Sequence, residues 1–243
     1  MARPSSSNDA LQRIRRFYKT ASIAPGEGGF GVKLDDRPLK TPGKASLLVP
    51  TEAAARMIVD EWASQAEHIQ FAAMPATRHA YTAIDRIAAS RAAVAQEVAR
   101  YAGSDLLCYF ADEPQALVDR QMAQWGPVLD WAEAELGSPF ERTKGINAVA
   151  QPPHTLLRIE ALALDLDDFR LAALAYAGAL FGSSVLALAL VRGRLSGEEA
   201  FVLSRMDEAW QEEQWGEDAE AAERTEQLRG EALVLEAWLK ALA

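Results

Sequence analysis

The sequence predicts an α+β protein, with a small β-rich N-terminal domain followed by an all-α C-terminal domain. Three observations carry this reading. Alanine, the strongest helix former, supplies 47 of the 243 residues, and 16 of these fall between positions 51 and 100. Before position 50 the chain is instead a series of short alternating runs broken by Gly- and Asp-rich turns. After position 50, apolar residues recur at helical spacing to the end of the chain. We divide it into a flexible tail over 1–15, a β-rich α+β domain over 16–87 and a helical domain over 88–243.

The β-rich part starts with a β-leaning run from Phe17 to Ile23, followed by the turn cluster Pro25-Gly26-Glu27-Gly28-Gly29. Phe30 to Leu34 alternates, Asp35-Asp36 makes a second tight turn, and Arg37–Thr41 and Ser46–Val49 complete an antiparallel meander. The glycine cluster is not a phosphate loop, because such a fingerprint must open a helix and here a strand follows. Thr51 caps the first long helix, on which Ile58 and Trp62 face the meander. Helical runs then cover Thr77 to about Ile87 and Ala88 to Tyr101, with the domain junction near Gly103-Ser104.

In the helical part, Glu113 to Leu136 ends at Gly137, residues 138–153 are irregular, and Thr155–Leu164 and Asp168–Phe181 follow. Leu171 to Val191 has 21 residues without a charge, long enough to cross a bilayer. Gly182-Ser183-Ser184 interrupts it as a stop and a cap, so it predicts two buried helices and no stable membrane insertion. Ser196-Gly-Glu-Glu199 is a capping box that opens the next helix. From Gln227 on, Leu228, Leu235, Leu239 and Leu242 make the stripe of an amphipathic terminal helix.

Composition excludes several classes of function. Cys108 is alone, which rules out an intrachain disulfide and a cysteine-based zinc site, and the three histidines lack metal-ligand spacing. The net charge is −10, with +5 in residues 1–44 and −9 in residues 196–243. Such a chain is a poor nucleic-acid binder. The N-terminus lacks the apolar stretch of a secretory signal.

Two constellations are candidates for function. In Arg78-His79-Ala80-Tyr81-Thr82-Ala83-Ile84-Asp85-Arg86, helical spacing puts Arg78, Tyr81 and Asp85 on one face. With Trp62, these are assigned a structural, interdomain role, with Asp85 paired to an Arg. The alternative is a small hydrolase or lyase that uses this region, with His79 or Asp85 as base. The second constellation is the helix after Ser196. Leu203, Met206 and Trp210 form its core stripe, and Glu208, Glu212 and Trp215 lie on the other side with Arg205 at the flank. Either Trp215 is a partner anchor, or the chain bends at Gly216 and buries it against the terminal helix. Arg205, Glu208, Glu212 and Trp215 are the candidate partner-binding residues.

Several stretches, taken in order, resemble a known family. They are Arg16-Phe17-Tyr18-Lys19, VKLDDRPLKTP (Val32 to Pro42), Val49-Pro50, DEWASQ (Asp60 to Gln65), MPATRHAYTAIDR (Met74 to Arg86), SDLLCYF (Ser104 to Phe110) and SRMDEAWQEEQWG (Ser204 to Gly216). The chain is similar to the assembly chaperones for the catalytic head of F-type ATP synthase, the "ATP-twelve" type. The resemblance implies a β-rich N-terminal and a helical C-terminal domain, no cofactor, no catalysis, and binding to the unassembled alpha subunit. It implies a soluble protein, cytoplasmic in a bacterium or in the mitochondrial matrix of a eukaryote; the Ala-rich composition points to the bacterial case.

Overall fold

The computed structural model describes residues 14–145, 147–216 and 219–243. The tail expected over 1–15 therefore falls mostly outside the described residues. The chain divides into two compact units. One holds the described residues up to Ala89 together with 237–243, and the other holds 90–236.

The first unit is built on a hairpin of β1 (Ala21–Gly26) and β2 (Gly29–Leu34), in antiparallel register from Ala21↔Leu34 to Gly26↔Gly29. Glu27 and Gly28 form its two-residue turn, and Gly28, at the second central position, takes a φ of 85°, a left-handed conformation open to glycine. The Pro25-Gly26 pair, part of the expected turn cluster, is thus the end of a strand. β3 (Arg37–Pro38) and β4 (Leu48–Val49) each pair with β2. Both are shorter than the sequence suggests. Past Pro38, Leu39 N–H still bonds the Val32 carbonyl at 2.8 Å, and the chain then turns through 41–45, where Thr41 N–H bonds the Ala45 carbonyl. At Gly29 a side chain would collide with the Val49 carbonyl, so the close approach of β4 requires glycine there.

Helix α1 (Glu52–Ala63) starts at Thr51, whose hydroxyl accepts from Ala54 N–H at 3.1 Å. It buries Ala54, Ala55, Ile58, Val59 and Trp62. Helix α2 (Pro75–Thr82) begins two residues earlier than its spacing suggests, with Pro75 in the first turn, where a missing N–H costs nothing. It continues as a π-turn over Ala83–Ile87 and then as α3 (Ala88–Gly103). Ser90 leaves helical geometry (φ −138°, ψ 23°) where the two units divide. Residues 14–16 run beside 67–69: Ile69 N–H bonds the Ile14 carbonyl at 2.8 Å, and Arg16 N–H bonds the Glu67 carbonyl at 2.8 Å.

The second unit is helical apart from one parallel ladder of two residues each, β5 (Tyr109–Phe110) with β6 (Thr143–Lys144). Its helices are α4 (Gln115–Leu136), α5 (Pro153–Leu164), α6 (Asp168–Phe181), α7 (Ser184–Val191), α8 (Gly197–Ser204), α9 (Met206–Trp215) and α10 (Ala219–Ala241). The last seven residues, 237–243, belong to the first unit. The uncharged run is two helices, as expected: Gly182 ends α6 at φ 63°, and the Ser183 hydroxyl caps α7 by accepting from Leu186 N–H. Every α7 residue from Ser184 to Leu190 is buried, so α7 is a core helix. Among the described residues, no helix is long and apolar enough to cross a membrane.

Under α7 lies Asp105, fully buried. It accepts from Leu107 N–H at 3.1 Å and Val185 N–H at 3.0 Å. A carboxylate in the interior is tolerable only when bonded in this way. Burial still pushes its pKa up to about 6, against the opposing pull of Ser183 and the backbone donors.

Candidate functional site

The helix expected from Ser196 onward does not run through as one. Arg205 adopts φ −111°, ψ 15°, ends α8 and starts α9. The capping box at its start is present, with both Ser196 and Glu199 bonds. The break changes the expected core stripe: Leu203 and Met206 are buried, but Trp210 is only half-buried. The Arg120 guanidinium from α4 lies 4.8 Å from the Trp210 ring centre and holds Glu213 through two bonds of 2.8 and 2.9 Å. Those bonds hold the Glu213 carboxyl below its ordinary range.

On α9, Glu208, Glu212 and Trp215 follow at four- and three-residue spacing and share one side of the helix. Trp215 is 80% exposed, and Gly216 then leaves the helix with φ 89°. The alternative in which a bend at Gly216 buries Trp215 is therefore overturned, because the indole stays in solvent. Arg205 donates to Glu208 Oε1 at 2.7 Å, and its Nε is buried with no acceptor among the described residues. Of the four residues named from the sequence, Trp215 is exposed, while Glu212 and the paired Arg205 and Glu208 are half-buried.

Asp207 escaped the sequence reading. It sits between Met206 and Glu208 but turns inward, where Oδ1 accepts from Gln121 Nε2 at 2.7 Å, and burial raises its pKa. Gln121 is itself buried and accepts from Ala111 N–H at 2.7 Å. An Asp-Glu pair gives no hint of which carboxylate points inward, and only the fold separates them.

The Arg78–Asp85 constellation differs from expectation in its bonding. Arg78 and Tyr81 line a groove together with Trp62. Asp85, in the π-turn, accepts from the Thr41 hydroxyl at 2.6 Å and Gly43 N–H at 2.8 Å. The expected pairing of Asp85 with an Arg is replaced by these two bonds to the meander loop, in the same unit. Trp62 is buried as expected, edge-on to Tyr18 at 5.5 Å and to Phe71 at 6.0 Å. His79 stacks on Trp238, 6.3 Å between ring centres, and burial, helped by Arg78, lowers its pKa to about 4. It is not among the residues that line the groove. Among the described residues, no group of three or more His, Cys, Asp or Glu is placed to hold a metal ion.

Known proteins share this architecture. The family described as "ATP12 chaperone protein" matches residues 15–133. Atp12 from Paracoccus denitrificans is 42% identical, with 95% of this chain and 99% of that one covered and a TM-score of 0.89. The Atu1473 protein from Agrobacterium tumefaciens is 40% identical over 100% of this chain and 93% of that one, with a TM-score of 0.88. The mitochondrial protein atp12 of Schizosaccharomyces pombe is 26% identical over 220 residues, covering 85% of this chain and 76% of that protein.

Fold and matches together define the class as that of α+β chaperones. The chain belongs to the ATP12 chaperone family. The family match ends at residue 133, short of α9, whereas the likeness to the solved bacterial structures extends over nearly the whole chain.

Proposed function

We propose that the chain is an assembly chaperone for the catalytic head of F-type ATP synthase. It binds the free alpha subunit through the α9 surface of Arg205, Glu208, Glu212 and Trp215. The observation that carries this reading is the exposure of Trp215 beside two carboxylates, in a member of a chaperone family. Glutamates alone suit a solvated face, but an indole left in water beside them suits a partner that offers an apolar pocket and a cation.

An unassembled ring subunit exposes apolar surface that its neighbour will later cover, and such surface aggregates. A chaperone that covers it stabilises the free subunit by mass action and yields to the true neighbour, whose contact is tighter. The reading assigns no turnover to the Arg78–Asp85 region, because the Asp85 carboxylate is committed to the meander loop. It places the protein in the bacterial cytoplasm. The test is capture of purified alpha subunit and of assembled head by the immobilised chain. Capture of the free subunit alone is expected; equal capture of both would remove the capping mechanism.

A further inference from the structure

The first unit holds an apolar groove that the α9 reading leaves unused. Its volume is about 450 Å³, in the range of sites that seat a small ligand or a few side chains. Phe17, Leu39, Trp62 and Phe71 supply apolar wall. Phe17 is 62% exposed, so the described residues leave the groove open. Lys40 and Arg78 also line it, both exposed, and no carboxylate does. Among the described residues, neither cation enters a salt bridge.

Two carboxylates border the groove, Glu61 near Arg78 and Asp85 on the Thr41 hydroxyl, but the unit as a whole carries the sign of the two cations. Residues 14–89 with 237–243 hold 11 Lys and Arg against 8 Asp and Glu, whereas residues 90–236 hold 12 against 26. In a chain of net charge −10, the apolar groove lies in the unit with a cationic balance. Complementarity therefore asks for an apolar group in an acidic setting.

We propose that this groove docks an extended segment of a partner polypeptide that presents a bulky apolar side chain between carboxylates. The side chain rests against Phe17 and Phe71, over the buried Leu39 and Trp62, and the carboxylates meet Lys40 and Arg78. A second copy of this chain offers similar chemistry at Trp215, on the side of α9 that carries Glu212. However, a ring at the end of a folded helix presents one side chain, whereas an extended segment follows the groove and reaches both cations.

The test uses the full-length chain and a fluorescein-labelled peptide, Asp-Glu-Phe-Leu-Glu-Asp, read by fluorescence polarisation. Saturable binding is expected. Phe17→Ser and Arg78→Glu should each weaken it at least about tenfold, the size of a hot-spot contact. Lys33→Glu, the same charge change on an exposed strand residue outside the groove, should alter it by no more than about twofold if the groove is the site. The peptide with Lys in place of each acid should not bind. Phe17, Arg78 and Lys33 are all exposed, so the variants keep the fold, and melting curves check that. Failure to saturate, or equal loss in Lys33→Glu, would overturn the proposal. So would a dimer in sedimentation equilibrium that Trp215→Ser abolishes, since the groove would then belong to a second copy. The measurement contains no alpha subunit, so its outcome is independent of the α9 reading.

Discussion

Glu61 at the end of α1 caps α2 through Thr77: its carboxylate accepts the Thr77 N–H at 2.8 Å and the Thr77 hydroxyl at 2.6 Å, with Ala76 N–H at 2.6 Å as a third donor. The residue in the cap position, Met74, offers no side-chain acceptor, so a cap arrives from 15 residues upstream of Ala76. Glu61→Ala would orphan two backbone donors at a half-buried helix end. A loss of about 2–3 kcal/mol is expected in urea unfolding, with Glu61→Gln losing less. A change below about 0.5 kcal/mol would show that water replaces the cap.

Trp62→Ala removes an indole that is 2% exposed and packed between Tyr18 and Phe71. The cavity should cost about 3–5 kcal/mol. An unchanged melting temperature would show that Trp62 carries no core packing.

Asp85 ties the 41–45 turn to the π-turn. Asp85→Ala should lower stability by about 1–3 kcal/mol and speed amide exchange at Gly43, whose N–H loses its acceptor. Gly43→Ala probes the same contact from the other side, because a Cβ there would stand 2.7 Å from Asp85 Oδ1. Exchange at Gly43 as slow in Asp85→Ala as in the wild type would refute the tie.

Two buried groups give stability a pH dependence of opposite sign. His79 titrates near 4 in the folded chain against 6.5 in the unfolded one. Its contribution is complete above pH 6.5 and is lost as pH falls through that window, because only the unfolded state takes the proton. Asp105 titrates near 6 folded against 3.8 unfolded, so its contribution grows as pH falls from 6 to 3.8. The two oppose each other below pH 6, and only His79 acts between 6.5 and 6. In thermal melts, His79→Gln should lose less stability than the wild type on going from pH 7 to 6. Parallel slopes would mean that His79 is protonated in the native state.

Glu208→Lys replaces the partner of Arg205 with a like charge. The pair is only partly buried, so the melting temperature should fall little, by the equivalent of about 1 kcal/mol or less. Alpha-subunit binding should weaken by about 2–5 kcal/mol, the loss for a desolvated interfacial charge pair. Titration at wild-type affinity would move the binding surface away from α9.

What the sequence determined by itself is local. Alternation before position 50, caps at Thr51, Ser183 and Ser196, and the stop at Gly182 marked the hairpin and most helices, since each depends on neighbours within a turn or two. The side of α9 that carries Glu208, Glu212 and Trp215 was legible for the same reason: helical spacing alone puts them together. Tertiary structure decided the rest, because it concerns partners that no spacing encodes. Glu61 reaches forward to Thr77, and Asp85 reaches back to Thr41 and Gly43 instead of pairing with an Arg. The non-helical backbone at Arg205 turned one expected helix into two, and Asp207, not Glu208, went inward to a buried Gln121. Residues 237–243, read as the end of a helical domain, pack with the first unit, where Trp238 meets His79. A periodic stripe says that a helix buries one side but not what covers it, and burial against distant segments is settled only when the whole chain closes.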